Sequence, residues 1–419
     1  MPAVSLWHHR DFRLLWVGDT ISQFGSTIGR TVLPLLAAGA LAATPFEMGL
    51  LTAANTAAFL LIGLPAGVWV DRMRRRPVML TADFVRAALM LSIPVAWWLG
   101  TLGFVHLVVV ALLVGAATVM FDIAYQSYLP ALVGRDQLVE GNSKLTASQS
   151  VAEVSGPAVA GGVAQVLGAA NGILATGVGY LCSALFLRRI RTEEPAPRVP
   201  DRPGLVHEVA EGLRFVFGNR SLRAVVGTTG TANFFDGVAM AVLVLFLARG
   251  LGLSDGVIGL LLSSAGAGGV LGALTANRWN KRFGQLRVIW LSMLVTQPFG
   301  LLLPLAEADW RLVFVLVADL LLAYGAIVYN IAQVSYRQAI CPDHLLGRMN
   351  ASIRFVVWGA LPLGGLVGGV LGSQIGIVAT LWVAVVGRAL SPAWVVFSPL
   401  RTAQDTVTAA ADAGRTGDH

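Results

Sequence analysis

Long apolar stretches, broken by short polar ones, recur along the whole chain. Twelve of them fall at roughly 12–40, 47–70, 77–99, 104–129, 143–167, 170–190, 221–249, 256–277, 286–305, 311–337, 346–372 and 375–398. The hydrocarbon core of a bilayer is about 30 Å thick, so a spanning helix needs about 20 mostly apolar residues. The pattern therefore predicts twelve transmembrane helices. The first run departs from its own pattern. In GDTISQFGSTIGR (18–30), Asp19, Gln23, Ser26 and Arg30 interrupt the apolar sequence. At 100° per residue these four positions lie within about 60° of one another on a helix. A charge at the bilayer centre costs roughly 2.5–3.5 kcal/mol on insertion scales. The stripe is thus expected to face a water-filled path rather than lipid, with Asp19 and Arg30 as a coupled pair. The competing reading is a buried structural pair that locks the bundle.

Composition agrees with a membrane protein. The chain has 419 residues, 56% hydrophobic and 13% charged, with a mean hydropathy of +0.71. Soluble domains carry about 25% charged residues. The first run is too long and too polar for a cleavable signal peptide, so its own helix is expected to direct insertion. A formal net charge of +7 raises the question of nucleic acid, which the placement of the charge answers. Arg72, Arg74, Arg75 and Arg76, then Arg135 and Lys144, then Arg278, Lys281, Arg282 and Arg287, then Arg337 and Arg348 occupy alternate loops. The loops near 42, 101, 169 and 373 hold no Lys or Arg, and those near 250 and 308 hold one Arg each. This is the positive-inside distribution. It predicts a plasma (inner) membrane protein with both termini and the 191–219 connection in the cytoplasm, and no nucleic-acid partner.

Cys182 falls inside a predicted span and Cys341 in a predicted cytoplasmic loop, so no disulfide is expected. No zinc-ligand spacing occurs, and no glycine-rich loop ends in Lys-Ser/Thr. No metal, cofactor or enzymatic reaction is expected, and ATP is not the expected energy source.

The second half repeats the first. At an offset of 210, RDFRLLWVG (10–18) lies over RSLRAVVGT (220–228), and Gly49 over Gly259. At an offset of 208, FDIAYQSY (121–128) lies over YNIAQVSY (329–336), Asn142 over Asn350, and Gly156 over Gly364. The predicted fold class is an all-α membrane protein of twelve transmembrane helices in two six-helix bundles related by a parallel repeat. The bundles are 1–190 and 220–400, the linker 191–219, and 401–419 a disordered cytoplasmic tail. Parallel repeats place a substrate site between the halves near the midplane. The offset of 210 maps Asp19, Gln23 and Ser26 onto Thr229, Asn233 and Asp236, with Phe234 and Phe235 beside them as Phe24 is beside the first stripe. A shared cavity lined by Gln23, Phe24, Asn233 and Phe234 is the expected destination of both stripes.

Four stretches then point to a family. GVWVDRMRRRP (67–77) resembles the loop between helices two and three of the major facilitator superfamily, with Arg74 where that motif has glycine. GPAVAGG (156–162) is similar to the helix-five motif of its antiporters. EGLRFVFGNRSLR (211–223) and LPALVGRDQLVEGN (129–142) resemble the subgroup of macrolide-efflux, enterobactin-exporter and lysophospholipid-transporter proteins. The resemblance implies a gating motif of Gly67, Asp71, Arg72, Arg75 and Arg76, with Asp71 facing the start of helix eleven near Leu346–Arg348. It implies a helix-five hinge of Gly156, Pro157, Gly161 and Gly162. It also places helices one, four, seven and ten around the cavity, which adds Asp122, Gln126, Asp319, Asn330 and Gln333 to the lining. Glu153, one turn before Gly156, has no counterpart in the motif and is either a proton site or a charge met by the cytoplasmic opening. Asp83 and Arg86 read as a local i,i+3 ion pair, and Arg388 has no account in the sequence.

The sequence therefore reads as a monomeric secondary antiporter in the lipid bilayer. It would export a lipophilic small molecule (drug, antibiotic or siderophore-like metabolite) by alternating access, as multidrug-resistance transporters do. Protons would be its coupling ion, with Asp19, Arg30, Asp122, Glu153, Asp236 and Asp319 as candidate coupling groups. The alternatives are a lysophospholipid or lipid flippase of the same fold, or a non-transporting sensor or scaffold.

Overall fold

A computed structural model describes residues 6–133, 137–192, 194, 205–342 and 345–401. The predicted tail beyond 401 and the middle of the predicted linker lie outside these residues. Among the described residues the protein is all helical. In chain order the helices are α1 (Arg10–Gly39), α2 (Pro45–Asp71), α3 (Arg75–Trp98), α4 (Phe104–Val133), α5 (Leu138–Leu167), α6 (Ala169–Arg188), α7 (Leu205–Gly218), α8 (Arg220–Leu245), α9 (Asp255–Phe283), α10 (Gln285–Thr296), α11 (Leu312–Ile340), α12 (Leu346–Gln374), α13 (Ile377–Leu390) and α14 (Ala393–Val396). A π turn, Phe246–Gly250, extends α8, and a 3-10 segment, Gln297–Leu305, extends α10.

Among the described residues, ten helices are long and apolar enough to cross a membrane. Of the three 30-residue helices, α4 is among the ten, whereas α1 and α5 are long enough but fall short in apolar composition. They are the helices that carry Asp19, Arg30 and Glu153. Many buried or half-buried hydroxyls close on their own helix, as Thr20 does on the Trp16 carbonyl, Thr27 on Gln23 and Thr31 on Thr27. That local bond is how a polar side chain is satisfied where no water competes.

Sharp sequence signals set the helix ends. Thr44 and Glu47 cap α2 reciprocally, with Pro45 in the first turn. Asn219 Oδ1 accepts from the N–H groups of Ser221 and Leu222 and so separates α8 from α7.

The chain forms two compact units. One gathers Met1–Leu205, Gly237–Ser263 and Leu361–Thr380; the other gathers Val206–Asp236, Ser264–Ala360 and Leu381–His419. In the first, α1 packs on α5 and α6, α3 on α4 and α6, and α2 on α4. In the second, α11 packs on α10 and its 3-10 extension.

In the first unit the loops near 42, 101, 169, 250 and 375 are the ones poor in basic residues. This charge-poor end of the first unit is tightly closed. Arg249 donates from Nη1 to the Ala43 carbonyl at 2.8 Å and from Nη2 to the Ala38 carbonyl at 2.5 Å. Gln165 Oε1 accepts from the Gly256 N–H at 3.0 Å. Gly161 meets Gly259, and Gly49 meets Gly369, with no room for a Cβ at Gly49, Gly161 or Gly259 and only a tight fit for one at Gly369. Backbones that approach this closely require glycine.

Candidate functional site

The polar residues singled out from the sequence collect into two clusters, one in each unit. In the first unit Asp19 is 4% exposed on α1 and faces Gln23 and Tyr125, with Asp122 and Asp83 close enough to act on it electrostatically. Neither Asp19 Oδ1 nor the Tyr125 hydroxyl has a well-formed hydrogen bond. Asp83 and Arg86, on α3, form a contact ion pair and are 0% and 3% exposed. The Arg86 guanidinium lies between two rings, 4.2 Å from the Phe121 centroid and 4.3 Å from that of Tyr180. Its charge and that of Arg30 both act on Asp122. Asp122 sits midway along α4 with an exposed side chain, as does Gln126 one turn on.

The expected Asp19–Arg30 pair does not form. A helix rises 1.5 Å per residue, so eleven residues separate the two by about 16 Å along the axis. Shared azimuth placed them on one stripe but not at one height. Arg30 donates instead to Thr27 Oγ1 at 3.1 Å, and Arg86, from another helix, joins the cluster through its pair with Asp83 and its field on Asp122.

In the second unit Arg388 of α13 supplies what the sequence left without a role. Its Nη1 pairs with Asp236 of α8, and its Nε donates to Gln297 Oε1 at 2.7 Å. Asp319 of α11 lies within the field of both Arg388 and Asp236. Phe235 fills the space over Gly387, and Phe234 meets it edge to face at 5.3 Å. No spacing in the sequence links 236, 297, 319 and 388. The only available signal was an arginine inside an apolar helix, which demands a partner.

Other candidates have more local roles. Asn233 donates to the Val357 carbonyl at 2.9 Å. Asn330 accepts from Gln333, whose own Oε1 is buried without a partner. Phe24 is half-buried on α1. Glu153 is exposed on α5 and accepts from Gln149 at 3.1 Å. On α5, Gly156 admits Thr27 of α1 and the Pro157 carbonyl faces Gly259, whereas Gly162 faces open space. Gly67 likewise has no close neighbour.

In the basic loop, Asp71 is the last residue of α2, and its side chain lies outside the described residues. Arg72 caps α2 and is exposed. The N–H groups of Arg75 and Arg76 donate to the Glu194 carboxylate at 2.6 and 3.2 Å. Arg76 also reaches the last carbonyls of α6, Leu187 and Arg188, at 3.0 and 2.7 Å. Asp11 completes this junction by accepting from the N–H groups of Arg191 and Thr192 and from the Thr192 hydroxyl. Burial works to raise the Asp11 carboxyl, but these hydrogen bonds and Arg10 outweigh it and hold it below the usual carboxylate range.

Comparison with known proteins adds the following. A family model described as transmembrane secretion effector matches residues 3–414. The multidrug efflux pump Tap of Mycolicibacterium fortuitum is 28% identical over 348 residues, covering 80% of this chain and 82% of its own. Among solved structures, a bacterial homologue of the iron transporter ferroportin in an inward-facing state aligns with a TM-score of 0.75 at 17% identity, covering 94% of this chain and 99% of that one. The nucleoside transporter NupG aligns with a TM-score of 0.75 at 12% identity, covering 92% and 97%. At such identities the two structures speak to the fold alone.

Proposed function

Because the chain belongs to the transmembrane secretion effector family of major facilitator superfamily transporters, we propose that it is a proton-coupled exporter of lipophilic small molecules. It is a multi-pass membrane transporter, not an enzyme. The finer reading is twelve spans in two bundles, 1–190 and 220–400, in the plasma membrane. The monomer would have both termini cytoplasmic, and the cavity would open to each side in turn.

The observation that carries this reading is the charge count of the two clusters. Asp19, Asp83 and Asp122 stand against Arg30 and Arg86, and Asp236 and Asp319 stand against Arg388. Each cluster holds one carboxylate more than it has arginines. An ionisable residue within a membrane span marks an ion or proton path, so the carboxylate in excess in each cluster is the group through which a proton would be exchanged. A proton that binds at one side and leaves at the other would couple the gradient to the conformational change. Asp19, Asp122, Asp236 and Asp319 are the exchange groups in this mechanism, and Arg30 acts through Asp122. The likeness to a multidrug efflux pump supports outward movement of drug-like molecules. The half-buried Phe24 and Phe234 would offer such molecules apolar surface, with Gln23, Gln126, Asn233, Asn330 and Gln333 as polar neighbours. Gly67, Asp71 and Arg72 would gate the cytoplasmic side, while Gly156, Pro157, Gly161 and Gly162 would set the approach of helix five.

The test uses proteoliposomes with an imposed pH gradient and a fluorescent lipophilic substrate. Wild type should accumulate substrate against its gradient only when the pH gradient is present. Asp19→Asn should abolish that accumulation and keep substrate counterflow, which moves no proton. Uphill transport that ignores the pH gradient would overturn proton coupling. Uphill transport by Asp19→Asn would move the coupling site to the Asp236–Arg388 cluster.

A further inference from the structure

We propose that a recess at the basic end of the second unit binds the phosphate headgroup of an anionic phospholipid. The recess has a volume of about 740 Å³ and lies between the start of α8 and the short C-terminal elements after α13. Arg220 and Arg223 form one wall; Trp394 and Phe397 form the other. One wall is cationic and the opposite wall aromatic, and an anionic phospholipid is divided in the same way between phosphate and acyl chain.

Three observations favour a built site over a chance basic patch. First, the arginines are spaced i,i+3, so both point to one side of the helix. Both are exposed, and among the described residues neither forms an ion pair or hydrogen bond through its side chain. The N–H groups of Ser221 and Leu222 are already taken by Asn219, so the positive charge offered to a ligand is that of the guanidiniums.

Second, the sequence repeat shows what is missing. RDFR (10–13) lies over RSLR (220–223). In the first copy Asp11 lies 3.7 Å from Arg10 and holds the junction after α6. In the second copy Ser221 stands in its place, so the two cations have no carboxylate. An external anion fills that deficit.

Third, the aromatic wall is fixed in advance. A Cβ on Gly227 would lie 2.7 Å from the Trp394 ring, so glycine there lets the ring lie flat on α8. The indole N–H donates to Thr231 Oγ1 at 3.1 Å. Trp394 is still 53% exposed and Phe397 86% exposed. Aromatic side chains exposed at the end of a membrane span mark the headgroup level, and the cytoplasmic leaflet is the anionic one.

The test is native mass spectrometry of the full chain in neutral detergent, titrated with phosphatidylglycerol or phosphatidylcholine. Wild type should retain one phosphatidylglycerol in preference to phosphatidylcholine. R220Q/R223Q should weaken that binding roughly thirtyfold, since each basic residue near an anionic surface contributes about a factor of five. R278Q/K281Q, which removes two charges from the same end of α9, should leave it within about twofold of wild type. Inorganic phosphate and glycerol 3-phosphate should not displace the lipid. Three results would overturn the proposal: unchanged binding in R220Q/R223Q, an equal loss in R278Q/K281Q, or displacement by phosphate, which would make this a soluble-anion site. If the double arginine variant does not fold, Phe397→Ser, confined to the surface, should weaken phosphatidylglycerol binding while leaving the charge intact. Unchanged binding there would overturn the proposal equally.

Discussion

Arg249→Ala tests whether the charge-poor end acts as a gate. Arg249 spans two carbonyls of one loop: Ala38, in the last turn of α1, and Ala43, next to the α2 cap. The last carbonyls of a helix have no partner within it and carry its negative dipole end, so a guanidinium is well matched to them. Between the two carbonyls Ala42 holds φ at 50°, a left-handed conformation costly for a residue with a Cβ. The loop is therefore kept in a strained shape that Arg249 helps to hold. Hydrogen bonds from a charged donor contribute about 1.5–3 kcal/mol each when buried. Arg249 is exposed, which puts each bond at about 1 kcal/mol and the pair at about 2 kcal/mol. That corresponds to roughly a thirtyfold shift in the closed-to-open equilibrium. The assay is a spin-label distance between residues 40 and 254 in a background with Cys182 and Cys341 replaced by Ala. Arg249→Ala should raise the long-distance population by about that factor. Arg249→Lys should fall between the two, because one ammonium cannot reach both carbonyls with a planar fork's geometry. An unchanged distance distribution in Arg249→Ala would refute the gating argument, and the contact would be a loop anchor alone.

Arg86→Ala leaves Asp83 buried without its cation, at a cost of about 3–5 kcal/mol. The melting temperature in detergent should fall by roughly 6–20 °C, at about 2–4 °C per kcal/mol, and a change under about 2 °C would contradict the burial argument. Asp236→Asn removes the charge partner of Arg388 but leaves its bond to Gln297. Uphill export should drop at least tenfold with expression retained, as read in the pH-gradient assay. The Asp11 carboxyl is held below its usual range, so its contribution to the α6–linker junction is complete at neutral pH. That contribution is lost as pH falls through the depressed value, when the carboxylate gains a proton and stops accepting from Thr192 and Arg191. Limited proteolysis between 190 and 205 should therefore be several-fold faster for Asp11→Asn at pH 7, and wild type should match the variant only well below pH 4.

Membrane placement, helix content and the uneven charge of alternate loops were legible in the sequence because each depends on composition over a window of residues. The bilayer demands about 20 apolar residues per crossing, and any chain that meets this declares it locally. The polar stripe on α1 was legible for the same reason, since azimuth on a helix follows from residue number alone. Partners were not. Asp19 and Arg30 share a face, yet one helix sets them about 16 Å apart, and Arg86 reaches the cluster from α3 instead. Arg388 finds Asp236 at a sequence separation that no periodicity encodes, since it joins α13 to α8. The glycines at 49, 161 and 259 were visible as small residues, but only the packing of helices distant in sequence leaves no room for a Cβ there. The repeat aligns Asp11 with Ser221 through residue identity alone. That the lost carboxylate leaves two arginines facing an aromatic wall was decided by the fold, because the wall comes from residues 394 and 397, at the far end of the chain.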